Sequence, residues 1–242
     1  MKLEILPVEG LPEIAEGDDL GALIVGAVVL EDGDVVCVAH KIVSKAEGRV
    51  VSLAGIEPSE QARALAGRGG DARRLEVVLR EATRIVRFRP PLVVAETRHG
   101  FVCASAGVDA SNAPEPDCVV LLPEDPDASA ARLRADLEER TGRRVGVVVT
   151  DTFGRPWRLG IANVAIGAAG IEVLRDLRGV HDPSGYELNA TVIALADEIA
   201  AAAELVMGKT ERVPVAIVRG LDVAGDGTGR ELVMPPELDL FR

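Results

Sequence analysis

Aromatic side chains are scarce in this chain. Phe, Trp and Tyr together make up 2% of its 242 residues, so a hydrophobic core has to be built from Val, Leu, Ile and Ala. Cysteine is scarce as well: Cys37, Cys103 and Cys118 are an odd number of thiols without a CxxC spacing. This pattern argues against a disulfide framework and against a zinc site, and we expect a protein of the reducing cytoplasm.

Long apolar runs and an excess of positive charge are also missing. No apolar run reaches the roughly 18 residues that a membrane-spanning helix needs. The first ten residues, MKLEILPVEG, contain acids and a proline where a secretory signal would be apolar, so we expect no signal peptide. Asp and Glu number 39 against 27 Lys and Arg, which gives a net charge of −12. This charge argues against nucleic acid or an anionic membrane as a partner.

Apolar residues make up 48% of the chain, enough for a core, and their spacing predicts both strands and helices. Strands are expected at residues 3–7, 35–39, 92–95, 101–104, 118–122, 145–149 and 213–218, and an extended segment at 171–174. Helices are expected at 20–25 behind Asp18 and Asp19, at 71–87, at 129–140 behind Ser129, and at 188–206. The order is not a regular βαβ series, so we predict an α+β fold and a single domain over residues 1–242.

The chain is organised around residues 145–167, VGVVVTDTFGRPWRLGIANVAIG. A buried strand ends in Thr150, Asp151 and Thr152, and a loop follows with Arg155, Arg158 and the single tryptophan. A carboxylate and hydroxyls at a strand end, with guanidinium groups nearby, suit a metal ion together with a phosphate. A polar strand end capped by an exposed loop explains the same residues, and both interpretations stay open.

Two further polar segments stand out. Residues 40–49, HKIVSKAEGR, follow a predicted strand and bunch cations in an acidic protein, which suggests either phosphate binding or a solvated loop. Residues 107–112, GVDASN, suit metal or ligand binding, although Asp and Asn often only form turns. Gly208-Lys209-Thr210 matches the end of a P-loop, but it follows a predicted helix rather than a strand and lacks the earlier glycine. We reject it as a Walker motif and keep it as a candidate phosphate contact.

Six segments of the chain, in this order, resemble the coenzyme F420-0:L-glutamate γ-ligase family: PVEGLPEI, KIVSKAEGR, GFVCASAGVDASN, VTDTFGRPWR, ADEIAAAAELVMGK and PVAIVRGLDVAG. The resemblance implies an unusual α+β fold with mixed sheets, packed helices and two intertwined subdomains, and a homodimer. It implies a ligase that uses GTP to add L-glutamate, through a γ-linkage, to the lactyl-phosphate tail of a deazaflavin cofactor precursor. It also implies one or two Mg²⁺ or Mn²⁺ ions, with a monovalent cation such as K⁺ as a further candidate.

The resemblance also implies roles for individual residues. Metal ligands are expected at Asp109, Asp151 and Thr152. Apart from the resemblance, the need to neutralise phosphate charge predicts catalytic cations at Lys45 and Arg155, with Arg158 as an alternative to Arg155. Nucleotide contacts are expected at Leu11, Pro12, Glu13, Ile14, His40, Lys45, Asn112, Met207, Gly208 and Lys209.

Two of these positions depart from the family pattern. His40 stands where the family often has a serine. Lys209 stands where archaeal relatives tend to have an acidic residue that can join the metal site. Either a second metal ion is held differently here, or Lys209 binds phosphate directly.

Amide synthesis from a carboxylate requires activation, and phosphorylation to an acyl phosphate would supply it. Two alternatives stay open at this point. The chain is another nucleotide-dependent carboxylate–amine ligase that acts on a different acid, or it is a non-catalytic binder of the cofactor. No side chain is singled out by its sequence context as the general base.

Overall fold

A computed structural model describes residues 2–240. Along these residues, helices and strands do not follow a regular βαβ order. The strands are β1 Glu4–Pro7, β2 Val35–Ala39, β3 Val50–Ser52, β4 Ala82–Arg89, β5 Leu92–Thr97, β6 Val102–Ala104, β7 Cys118–Val120, β8 Gly146–Arg155, β9 Arg158–Ala169, β10 Arg175–Asp176, β11 Val192–Ile193 and β12 Val215–Arg219. The helices are α1 Leu20–Ala27, α2 His40–Ala46, α3 Glu60–Ala66, α4 Ala72–Glu81, α5 Pro126–Thr141 and α6 Leu195–Met207. The predicted α+β class is confirmed.

A five-stranded mixed sheet in the order β1-β12-β2-β8-β9 forms the centre. β2 and β8 are parallel, and the other neighbours are antiparallel. Both central strands are rich in valine on both faces, so each face can carry a hydrophobic layer. Side chains of α1, α2 and α5 pack on one face, and those of α6 pack on the other. The sheet is therefore buried between helices, and polar residues follow β2 and occupy the second half of β8.

A smaller lobe lies beside this sheet. It contains the three-stranded antiparallel sheet β4-β5-β6, the β3–β7 pair, and the helices α3 and α4. Its own hydrophobic cluster joins Val77 and Val78 of α4 to Val93 and Ala95 of β5. None of the helices within residues 2–240 is both long and apolar enough to cross a bilayer.

Three predicted helices have different bounds in the structure. The helix predicted at 71–87 ends at Glu81, because the β-branched and aromatic residues that follow pair with β5 as strand β4. The helix predicted at 188–206 begins only at Leu195. The helix predicted behind Ser129 begins earlier, at Pro126, and the carboxylate of Asp125 caps it by accepting the amide of Ala128.

Two segments predicted as loops are regular structure. The basic segment after β2 is helix α2, which starts directly at His40. The strand predicted to end at Val149 continues through Thr152 to Arg155 and turns into β9, so the loop with Trp157 is the tip of a long β-hairpin. Trp157 has a φ of 59° at that tip. The polar residues 150–152 therefore lie in a paired strand.

Candidate functional site

Two parallel strands bring the first polar pair together. Ala39 of β2 pairs with Thr150 of β8, so the next residues along each strand, His40 and Asp151, lie side by side. His40 Nε2 is 3.3 Å from Asp151 Oδ1, and the His40 side chain is 3% exposed. The other ring nitrogen, Nδ1, lies 3.4 Å from the hydroxyl of Ser44, one turn along α2. Sheet register and a helix start thus fix the imidazole against the carboxylate.

Asp151 is held as a carboxylate. Burial raises its pKa, but the charge and hydrogen bond of His40, the amide of Thr152 and the charge of Lys41 outweigh that effect. The result is a pKa below the ordinary value for aspartate. The amide of Thr152 donates to Asp151 Oδ1 at 2.6 Å, which fixes the carboxylate in its place.

Asp109 faces the same region through Lys41, a residue that was absent from the predicted site. Lys41 Nζ lies 2.7 Å from Asp109 Oδ2 and donates to the hydroxyl of Ser111. Ser111 in turn donates its amide and its hydroxyl to the Asp109 carboxylate, at 2.8 and 2.7 Å. Burial raises the pKa of Asp109, but the Lys41 and Ser111 bonds lower it to about 2. If residues 40–46 are taken as a helix, Lys41 becomes a candidate site residue, because it lies on the same helix face as Lys45, four positions later.

Lys45 is buried rather than solvated, with 6% of its side chain exposed, and its ammonium pairs with the carboxylate of Glu13. Glu13 belongs to the predicted nucleotide segment 11–14, which runs without regular structure between β1 and α1. Ile14 anchors that segment in the core. The same segment, through Leu11 and Pro12, borders a groove of about 430 Å³ whose other wall is α1. Two of the predicted nucleotide elements are thus in direct contact.

Thr152 connects β8 to the end of α6. Its hydroxyl accepts from the ammonium of Lys209 and donates to Asn163 Oδ1 at 2.6 Å. Lys209 also lies 2.9 Å from Glu204 Oε1. Asn163 and Glu204 were absent from the predicted site, and the signal for Asn163 was a lone amide within an apolar segment. Gly208-Lys209-Thr210 follows helix α6, in agreement with its rejection as a Walker motif.

The remaining predicted residues lie further out. Arg155 is four positions beyond Asp151 on β8, which is roughly 13 Å at about 3.3 Å per residue. Its guanidinium donates to the carbonyl of Leu159 within the hairpin. Asn112 is exposed in a turn with a φ of 58°, three residues after Asp109. The Met207 side chain belongs to the hydrophobic core, so only its backbone can reach a ligand.

The donor set suits a hard divalent cation. Asp109, Asp151 and Thr152 offer two carboxylates and a hydroxyl, the oxygen ligands that Mg²⁺ and Mn²⁺ accept. Each of the three now contacts a cationic or basic side chain: Lys41, His40 and Lys209 respectively. In residues 2–240 no three His, Cys, Asp or Glu side chains cluster as a metal site. A divalent ion at Asp109 would therefore have to compete with Lys41, and an ion at Thr152 would bind beside the ammonium of Lys209.

The whole chain is similar to known proteins. The model of the family described as F420-0:Gamma-glutamyl ligase matches residues 10–220. The Coenzyme F420:L-glutamate ligase of Methanopyrus kandleri is 50% identical over 249 residues, covering 100% of this chain and 98% of that protein. The proteins of the same name from Methanothermobacter thermautotrophicus and Archaeoglobus fulgidus are 44% and 46% identical, over 100% of this chain and 100% and 97% of theirs.

Proposed function

The chain belongs to the F420-0:gamma-glutamyl ligase family, and we propose that it joins L-glutamate to the F420 precursor with GTP as the energy source. The observation that carries this proposal is full-length identity of 44–50% to three proteins named Coenzyme F420:L-glutamate ligase. The clustered cations and carboxylates described above suit phosphate and metal chemistry and support it. The choice of GTP rests on the family resemblance, since no described side chain is assigned to a guanine edge.

The proposed reaction has two steps. The carboxylate of the lactyl-phosphate tail attacks the γ-phosphorus of GTP, which forms an acyl phosphate and releases GDP. The amine of glutamate then attacks the acyl carbon, the C–O bond to phosphate breaks, and the amide and inorganic phosphate are formed with loss of a proton. Phosphoryl transfer of this kind depends chiefly on positioning and on neutralising negative charge.

Lys45 is the better placed of the two proposed catalytic cations. It is nearly buried, and its partner Glu13 is exposed over 76% of its side chain. A phosphate group could therefore replace the Glu13 carboxylate at the ammonium without leaving a buried acid unpaired. Arg155 lies at the exposed hairpin tip and is proposed to contact a more distant phosphate, such as that of the precursor tail.

Asp109, Asp151 and Thr152 would hold Mg²⁺ or Mn²⁺, and the ion would supply charge neutralisation at phosphate oxygens. His40 keeps the Asp151 carboxylate in place from the buried side. Lys41 does the same for Asp109, and its ammonium is then available to a phosphate oxygen when a metal ion occupies the carboxylate.

One incubation tests the proposed function. The protein, the glutamate-free precursor, GTP, Mg²⁺ or Mn²⁺ and L-glutamate are combined, and the product is examined by mass spectrometry. We expect the mass of an added glutamyl unit and one phosphate released for each unit. Phosphate release only with a different acid would identify another carboxylate–amine ligase. Precursor binding without any phosphate release would identify a non-catalytic binder. We also propose a homodimer, to be checked by sedimentation velocity.

A further inference from the structure

The ammonium of Lys209 is surrounded by oxygen atoms from three different elements. It contacts Thr152 Oγ1 of β8, lies 2.9 Å from Glu204 Oε1 of α6, and lies 3.4 Å from Asn163 Oδ1 of β9. Asn163 Nδ2 closes a ring by donating to the second oxygen of Glu204 at 2.7 Å. Four side chains from β8, β9, α6 and the turn after α6 thus form one closed polar ring.

The direction of every hydrogen bond in this ring is fixed by chemistry. Glu204 as a carboxylate only accepts, so the Asn163 amide must present its nitrogen to it and its oxygen to the other side. That oxygen also only accepts, so the Thr152 hydroxyl must donate its hydrogen to it, at 2.6 Å. Lys209 only donates, so it occupies one of the two lone pairs of Thr152 Oγ1. One lone pair of that hydroxyl is left for a ligand.

The backbone turn after α6 places Lys209 next to the oxygens of Thr152, Asn163 and Glu204. α6 ends at Gly208, which has φ 60° and ψ −170°, a conformation open essentially to glycine. A Cβ at Gly208 would stand 2.0 Å from Glu211 Oε2. The turn directs the chain back toward β8 and places a positive charge at the carboxyl end of the helix, where the helix dipole favours it.

We propose that Lys209 is a positioning residue, whose ammonium fills a three-oxygen cation site made by Thr152, Asn163 and Glu204 and so orients the hydroxyl of Thr152, the residue that follows Asp151 in β8. Its effect on turnover rests on the proposed function, whereas the cation site does not. Without the ammonium, the same oxygens form a site for a small monovalent cation, such as ammonium or K⁺. Because 52% of the Lys209 side chain is exposed, such an ion can enter from solvent.

Thermal unfolding tests the cation site independently of activity. In Lys209→Ala, ammonium chloride should raise the Tm by about 3 °C over tetramethylammonium chloride at equal ionic strength, since binding to the folded state alone stabilises it. Lys209→Met fills the space with a neutral chain and should show no such difference. Lys2→Ala is the matched control, because Lys2 also contacts a glutamate oxygen at 2.9 Å but lies on the surface at β1. Equal responses in Lys209→Ala and Lys2→Ala would overturn the cation site.

Kinetics test the positioning role. We expect kcat to fall by about 10–100-fold in Lys209→Ala and in Lys209→Met, the range typical of residues that orient a metal ligand. Added ammonium should restore kcat in Lys209→Ala and not in Lys209→Met. Parental kcat in a folded Lys209→Met would overturn the positioning role, as would a loss that follows thermal stability alone. A parent protein without ligase activity would refute the proposed function and leave the melting result to decide the cation site.

Discussion

The substitution Asp151→Asn tests whether the Asp151 carboxylate holds a metal ion or only stabilises the fold. The substitution keeps the side-chain volume and an oxygen for the Thr152 amide, but it removes the charge that faces His40. Hydrogen bonds to charged groups contribute about 1 kcal/mol more than neutral ones. We therefore expect the free energy of unfolding without metal to fall by about 1 kcal/mol, a Tm decrease of about 2–4 °C for a chain of this size.

The expected effect on turnover is larger. Residues that only orient a metal ligand cost about 10–100-fold when removed, so a direct ligand should cost at least about 100-fold in kcat/KM, or about 2.7 kcal/mol. Asp109→Asn should behave in the same way, and the double variant should lose less than the product of the two single losses, because both carboxylates would hold one ion. The assay is kcat/KM across a Mg²⁺ and Mn²⁺ titration.

The control is Asp176→Asn, which also removes an aspartate paired with a basic side chain, in this case Arg178, but lies outside the cluster, in β10. It should leave kcat/KM unchanged. Near-parental activity of Asp151→Asn at saturating metal would refute the reasoning. Strictly multiplicative losses in the double variant would equally show that Asp109 and Asp151 do not share an ion.

Three further outcomes are expected. Lys45→Ala should raise the KM for nucleotide several-fold in a folded protein. Glu13→Gln should lower this KM by up to about fivefold, because an exposed carboxylate that competes with phosphate for the Lys45 ammonium contributes up to about 1 kcal/mol. Unchanged nucleotide kinetics in both variants would mean that Lys45 has only a structural role. Turnover at equal concentrations should be faster with GTP than with ATP, and the reverse order would contradict the proposed nucleotide. Burial raises the pKa of the Cys37 and Cys103 thiols from 9.0 to about 12. The folded protein therefore keeps protons that the unfolded chain loses above pH 9, so the free energy of unfolding falls as the pH rises. Urea unfolding should show a decrease in this free energy between pH 8 and pH 10, and the decrease should be smaller by about 1.4 kcal/mol for each of the two thiols replaced by Ala.

Sequence patterns predicted the elements whose signals are local. The valine-rich strands β2 and β8 were recognised from composition, and α1 from its capping aspartate, which accepts the amide of Ala22. Helix α2 was missed because its signals are weak. It contains Ile42, Val43 and Ser44, and no side chain caps its start. Its helical form depends on packing against the sheet, which a local pattern does not contain.

Strand β9 was missed for a different reason. Its sequence, RLGIANVAIGAA, is rich in glycine and alanine and has low strand propensity. Small residues are needed there because the chain packs closely: a Cβ on Gly167 would stand 2.3 Å from the carbonyl oxygen of Pro126 at the start of α5. Close packing in the folded protein thus requires glycine and alanine in β9, although their low strand propensity argues against a strand.

Polar segments of the sequence and the family resemblance together indicated part of the candidate site, and the roles of its residues stay predictions. Asp109, Asp151, Thr152, Lys45 and Lys209 were all identified before the fold was known, and the structure gives each a charged or hydrogen-bonding partner within a connected region. Asn163, Glu204 and Lys41 were not identified. Their contacts join distant parts of the chain: Asn163 lies 41 residues from Glu204 and 46 from Lys209, and Lys41 lies 70 residues from Ser111.

The position of His40 and Asp151 just beyond the last pair of the parallel ladder between β2 and β8 has a consequence for motion. These residues directly follow Ala39 and Thr150, which the parallel ladder between β2 and β8 holds in register. Local opening events that expose loops and termini to hydrogen exchange or proteolysis leave central strands closed. Separating the backbones that carry the imidazole and the carboxylate therefore requires opening of the central sheet itself, so the two residues should stay neighbours for as long as that sheet stays closed.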